Sequence, residues 1–239
     1  PLRLQPIVKE TCRMLRRIGT ARSVPALANL LSDEALSHMA RFALQGMAAP
    51  EAGAALRQAL GELEGELLAG VVGSLAQRQD RQAAAAIANL LASESSAIQT
   101  EAVRALGRIG GLTATQALSG LRAEGALETE RADALLRCAE ALLAEGAALA
   151  AARIYEQLAA PANPALLQAA ALRGLIACEP DRAGDRIEAA LLSDAPTLRQ
   201  AARRLAAESP NEAVLAAAIQ ALPRLGEEDQ AALIEIFAF

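Results

Sequence analysis

The chain has 239 residues, 53% of them apolar, 21% charged and 2% aromatic, with no Trp and one His. Ala makes up roughly a quarter of the chain and Leu roughly a sixth; both favour helix, while the β-branched and aromatic residues that strands favour are scarce, so the composition predicts an all-α protein and excludes a strand-rich one. A net charge of −5 argues against a nucleic-acid binder, which needs a basic stripe for phosphates, and three scattered cysteines (Cys12, Cys138, Cys178) make neither a disulfide framework nor a zinc signature.

In chain order, the first 22 residues are basic: Arg3, Lys9, Arg13, Arg16, Arg17 and Arg22 against Glu10 alone. This end is expected to meet a preceding segment or a partner. A helix over 7–18 reads as the second half of an incomplete first repeat occupying 1–22. Similar eight-residue windows then start at 26, 55, 86, 117, 153, 186 and 217, separated by 29 to 36 residues. Each carries an apolar second position and another three or four residues on, such as Leu27/Leu30, Leu56/Leu60, Ile87/Leu90, Leu118/Leu121, Ile154/Leu158 and Ile187/Leu191. That is the stripe of an amphipathic helix. Second helical patterns fall between the windows, over Ala35–Met47, Gln99–Ile109, Arg131–Leu143, Leu166–Cys178 and Leu198–Ala207. A helix is also expected over 63–76, where Gly61, Gly65, Gly70 and Gly73 mark close packing or a weakened turn. The last repeat spans 211–239.

Punctuation supports these elements. Pro25, Pro50, Pro164 and Pro196 fall near helix starts, and Gly110-Gly111 ends a helix. Ser96-Ala-Ile-Gln99, Thr113-Ala-Thr-Gln116 and Ser209-Pro-Asn-Glu212 read as capping boxes, the last with Pro210 at the first helical position. Two helices every 30 residues or so cannot bury their stripes alone, so adjacent pairs must stack, which predicts a single α-solenoid of about seven to eight helical pairs over 1–239. The longest stretch without a charge, Gln157–Leu172, contains Pro161, Asn163 and Pro164 and is shorter than the ~20 residues of a membrane-spanning helix. No membrane insertion is expected.

Glu101-Ala-Val-Arg-Ala-Leu-Gly-Arg-Ile-Gly110 and Leu191-Leu-Ser-Asp-Ala-Pro-Thr-Leu-Arg-Gln-Ala-Ala202 resemble HEAT repeats of the bacterial type, related to phycobilisome-lyase-like repeats. Thr11–Gly19, Ser23–Ala28 and Leu36–Leu44 resemble HEAT proteins of planctomycete and verrucomicrobial genomes, many of them exported. The resemblance implies a right-handed solenoid whose second helices line a concave binding face. It also implies a ladder between a turn Asp and a following Arg, matched here by Asp194 and Arg199 and departed from at Gln99 and Leu167.

Arginines recur on the second helices. Arg41, Arg104, Arg108, Arg137, Arg173 and Arg204 are the candidate partner-binding residues, because the guanidinium fork reads carboxylates and phosphates; a solvated helix face is the plainer alternative. Catalytic chemistry is not expected. His38 has no second ligand or nucleophile near it in sequence, and no GxSxG, P-loop, GxGxxG or HExxH spacing occurs. One His excludes HEAT-like deoxyhypusine hydroxylase activity, and the scarce aromatics and acidic balance argue against HEAT-like alkylpurine DNA glycosylases. The sequence therefore points to a non-catalytic scaffold for a protein partner, with no cofactor and no small-molecule substrate. A bilin-lyase-like holder of a tetrapyrrole or client protein is one alternative; a spacer within a longer polypeptide, which the absent initiator Met and apolar tail fit, is another. The end faces of such a stack can pack on each other, which leaves the oligomeric state open.

Overall fold

A computed structural model describes residues 4–209 and 211–237, with side chains over 6–209 and 211–235. It divides into two compact units, Pro1–Cys138 and Ala139–Phe239. The first unit holds α1 (Leu4–Ile18), α2 (Val24–Ala28), α3 (Ser37–Gly46), α4 (Pro50–Ala59), α5 (Gly65–Gln77), α6 (Ala84–Asn89), α7 (Ser96–Ile109), α8 (Gly111–Gly120) and most of α9 (Gly125–Ala144). The second takes up the end of α9 and continues through α10 (Ala148–Leu158), α11 (Ala165–Cys178), α12 (Ala183–Leu191), α13 (Pro196–Glu208), α14 (Glu212–Ala221) and α15 (Glu227–Phe237). No strand occurs among the described residues.

The expected pairing is observed: α1 stands alone, and seven pairs follow from α2/α3 to α14/α15. Within the first unit the second helices form one row, α1 on α3, α3 on α5 and α5 on α7, while α2 packs on α4 and α6 on α8 in the row of first helices. The second unit repeats this with α11 on α13, α13 on α15, and α12 on α14. Leu44, Leu56, Leu75, Ile87, Leu106, Leu118 and Leu135 are fully buried between layers of the first unit; Ile187, Leu191, Ala202, Ala218 and Leu233 do the same in the second. The stacked pairs make the protein an all-helical α-solenoid, and the Ala-rich composition is what lets neighbouring helices approach closely.

Three details differ from the sequence reading. The windows at 26 and 86 form short α-helices, because the chain tightens into turns after Ala28 and into a 3-10 turn at Leu90–Ala92. Leu27 and Leu31 nevertheless both reach the core. None of the three capping boxes holds at the expected position. α7 is capped by Ser95, whose side chain accepts from the Ile98 N–H, and α14 by Asn211, whose side chain accepts from Ala213. Thr113 lies inside α8, which starts at Gly111 because Gly110 (φ 65°) and Gly111 (φ 79°) take a left-handed turn that joins α7 directly to α8. Pro210 lies outside the described residues. The proline expectations hold: Pro25, Pro50 and Pro196 sit in first turns, and Pro164 caps α11.

The expected Asp–Arg ladder is replaced by another device. Arg199 does not bridge to the Asp194 carboxylate; it donates to the backbone carbonyls of Ser193 (2.9 Å) and Asp194 (3.2 Å) and pairs with Asp229 at 2.7 Å. Gln99 occupies the same fourth position of its helix and donates to the Leu91 carbonyl at 2.8 Å. Gln168 reaches the Asn163 carbonyl at 2.7 Å, and Gln230 the Leu225 carbonyl at 2.9 Å. In four repeats, then, the first turn of the second helix sends an N–H back to carbonyls of the connecting segment, satisfying acceptors that the first helix leaves open. An amide serves as well as a guanidinium, which is why the series cannot be followed by looking for arginine.

Candidate functional site

The row of second helices in the first unit has an uneven outer face, and α5 explains it. Between Glu66 and Gln77 its outer positions are Ala69, Gly70 and Gly73, so α5 offers almost no side chain there. Neighbouring helices lean into the space. A Cβ on Gly70 would stand 2.2 Å from the Arg41 guanidinium carbon, and one on Gly73 would stand 3.0 Å from the Glu101 carboxylate. The two glycines are thus close-packing positions for a cation from α3 and an anion from α7, and the expectation of a weakened turn in this helix is not met.

Arg41 is half-buried, and burial lowers its pKa. Its one hydrogen bond is a long one, 3.4 Å from Nε to the Ser37 hydroxyl, and no carboxylate pairs with it among the described residues. Glu101 shows the opposite imbalance. Burial raises its pKa, against the pull of Arg104 and Arg108 and with a further push from Glu130. A raised carboxyl favours the protonated folded state, so ionised Glu101 works against folding at neutral pH. Glu101→Gln is therefore expected to raise the Tm at pH 7, with the gain fading as the pH falls through the ordinary glutamate value of 4.5. Thermal unfolding of both chains between pH 3 and 8 measures this; an equal difference at every pH contradicts it.

The six candidate arginines fall in both units. Arg41, Arg104, Arg108 and Arg137 belong to the first unit, and Arg173 and Arg204 to the second. Arg104 is held in a two-pronged pair with Glu130 (Nε to Oε2 2.9 Å), which raises its own pKa and lowers that of the glutamate. Arg137 pairs with Asp133 at 2.8 Å, one turn back on α9, and Arg173 with Glu208 at 3.6 Å. Arg41, Arg108 and Arg204 have no ion pair among the described residues. Of the candidate arginines in the first unit, those without an ion pair among the described residues are Arg41, leaning over α5, and Arg108, exposed on α7.

Other polar groups are taken up by the fold. Arg78 donates to the Leu44 and Met47 carbonyls at 2.6 and 2.7 Å, closing the end of α3, and Arg57 pairs with Asp80. An open cleft of about 580 Å³ lies between the start of α7 and the α8–α9 connection, lined by Gln99, Arg122, Glu124, Glu128 and Arg131. Two of its donors are already engaged: Gln99 with the Leu91 carbonyl, and Arg131 with Glu128 (2.6 Å) and the Leu118 carbonyl. Cys12 and Cys138 are buried and Cys178 half-buried; burial pushes all three thiols up, away from the reactive thiolate form. His38 is exposed on α3. Among the described residues no three His, Cys, Asp or Glu side chains gather as a metal site, and no helix is long and apolar enough to cross a membrane.

Sequence reasoning found Arg41 but not the reason it stands apart, which is a tertiary approach to Gly70. It missed Arg57, Arg78 and Asp80 altogether. Arg78 acts on carbonyls 31 to 34 residues away, and no local spacing announces that.

Helical pairs stacked in this way define an α-solenoid. Residues 53–142, from α4 to α9, match the family model of HEAT repeats. HEAT repeats commonly serve as protein-interaction scaffolds and are typically not catalytic. No curated protein matches the chain.

Proposed function

We propose that this chain is a non-catalytic scaffold that holds a protein partner on the second-helix face of its first unit, the face that is concave in HEAT arrays. The observation that carries this is Arg41. A half-buried guanidinium without a counter-charge is costly to keep, and it packs against Gly70, which brings no side chain to compensate it. A carboxylate brought by a partner would compensate that charge, and Arg108 on the next ridge but one would take a second. The partner segment is accordingly acidic, laid across α3, α5 and α7. Arg104 and Arg137, already paired, contribute less than the sequence suggests.

The test is capture from an extract of the source cells with the native chain, Arg41→Gln/Arg108→Gln, and Arg137→Gln as a control. The native and control chains are expected to hold the same protein, and the double variant to lose it at unchanged helicity. Capture that survives the double variant contradicts the placement of the site. An empty capture from the native chain favours the spacer role instead.

A further inference from the structure

α5 lies between two half-buried charges of opposite sign that the packing leaves unmatched. Arg41 reaches over it from α3, against Gly70, and Glu101 reaches over it from α7, with a carboxylate oxygen 3.0 Å from where a Cβ on Gly73 would stand. Gly70 and Gly73 are three residues apart on one helix, so they are surface neighbours about 5–6 Å from each other. The guanidinium and the carboxylate therefore stand roughly 10 Å apart or less. No ion pair joins them among the described residues.

Glu101 accepts no hydrogen bond and makes no ion pair among the described residues, although Arg104 follows it at a spacing that suits a helical pair. Arg104 is turned to α9 instead, where Glu130 holds it by both prongs. Arg108 lies two turns along α7. α5 offers only glycine at the point of approach. The free chain thus keeps a half-buried carboxylate that is costly in its ionised form, close to a half-buried cation in the same position. One carboxylate is too few for a metal ion, which takes several oxygen ligands. A group that compensates both charges at once must bring an anion and a cation at a set separation.

We infer that the partner segment carries a basic residue beside its acidic one, about two or three positions apart, the acid seated on Arg41 and the base on Glu101; this rests on the second-helix face of the first unit being the partner's seat. The spacing follows from chain geometry. In an extended segment, residues two apart are separated by about 7 Å and residues three apart by about 10 Å, which fits the distance between the two charges. A segment bearing acidic residues alone would set a like charge against Glu101, and that repulsion rejects it. Arg41 and Arg108 attract, while Glu101 selects. The ionised Glu101 that weakens the free fold is then retained for recognition, as destabilised groups at binding sites often are.

Display of random peptides about 12 residues long, enough to cross three helices spaced roughly 10 Å apart, tests this with the full chain as bait. The native chain is expected to enrich peptides in which an acidic and a basic residue stand two or three positions apart. Glu101→Gln is expected to keep the acidic residue in its selected set and lose the basic one, and Arg41→Gln to do the reverse. For one selected peptide, Glu101→Gln is expected to weaken binding at least about tenfold while raising the Tm at pH 7. Removing the basic side chain of that peptide is expected to weaken its binding to the native chain equally, and to the variant no further. A residue that only supports the fold would not lose binding as it gains stability. Enrichment of acidic residues alone by the native chain overturns this inference and leaves the acidic-segment reading standing; no enrichment at all overturns both. A basic residue selected as strongly by Glu101→Gln as by the native chain overturns its assignment to Glu101.

Discussion

Gly107→Ala is expected to destabilise the protein by about 2 kcal/mol, although the same change elsewhere in a helix is favourable. Gly107 lies in the last turns of α7, where Ala would gain up to about 1 kcal/mol in helix propensity. Tertiary packing reverses the sign. A Cβ at Gly107 would stand 2.7 Å from both the Cα and the Cβ of Ala134 on α9, and 3.2 Å from its carbonyl oxygen. Those are backbone or backbone-attached atoms, so relief requires α7 and α9 to move apart and their shared core around Leu106 and Leu135 to loosen. Gly120→Ala is the control. Gly120 is the last residue of α8, and nothing lies within 4 Å of a Cβ there, so that variant is expected to be neutral or slightly stabilised. Chemical denaturation of the two variants measures the difference; equal midpoints would contradict the close approach of α7 and α9.

Arg78→Met is expected to cost about 2–3 kcal/mol. The Arg78 guanidinium reaches across from the end of α5 and donates from Nη1 to the carbonyls of Leu44 (2.6 Å), Met47 (2.7 Å) and Gln45 (3.3 Å). These are the carbonyls that the last turn of α3 leaves without intrahelical partners, at the negative end of the helix dipole. Met fills similar volume but leaves the acceptors facing a half-buried apolar group. Arg78→Lys keeps a positive donor and is expected to recover about half of the loss. A Met variant as stable as the native chain would show that water satisfies those carbonyls.

The repeat was legible because a period of about 30 residues with apolar stripes constrains both the helix count and the pairing. α9, α11 and α13 fall where the second-helix patterns place them, and Pro50 and Pro196 open the helices they were expected to open. The helix caps were less legible. At α7 and α14 a neighbouring polar residue, Ser95 or Asn211, competes for the cap, and backbone geometry decides between candidates one or two residues apart. Arg199 was recognised as special for its place in a ladder, yet its carbonyl contacts and its pairing with Asp229, 30 residues on, follow from how α13 lies on α15. The division of the arginines was not legible at all. Whether Arg104 meets Glu130, or Arg41 meets no one, depends on which side chains adjacent repeats bring together, and the sequence of one helix carries no record of that.

The central claim is that the arginines divide into those that hold repeats together and those left for a partner. It is tested most directly by measuring Tm and partner capture together for Arg57→Gln, Arg78→Gln, Arg41→Gln and Arg108→Gln. The account predicts that the first two lower the Tm and keep the captured protein when assayed below it, while Arg108→Gln keeps the Tm, Arg41→Gln keeps or raises it, and both lose the captured protein. If losses in capture follow losses in Tm across all four variants, the arginines belong to the fold alone and the account is wrong.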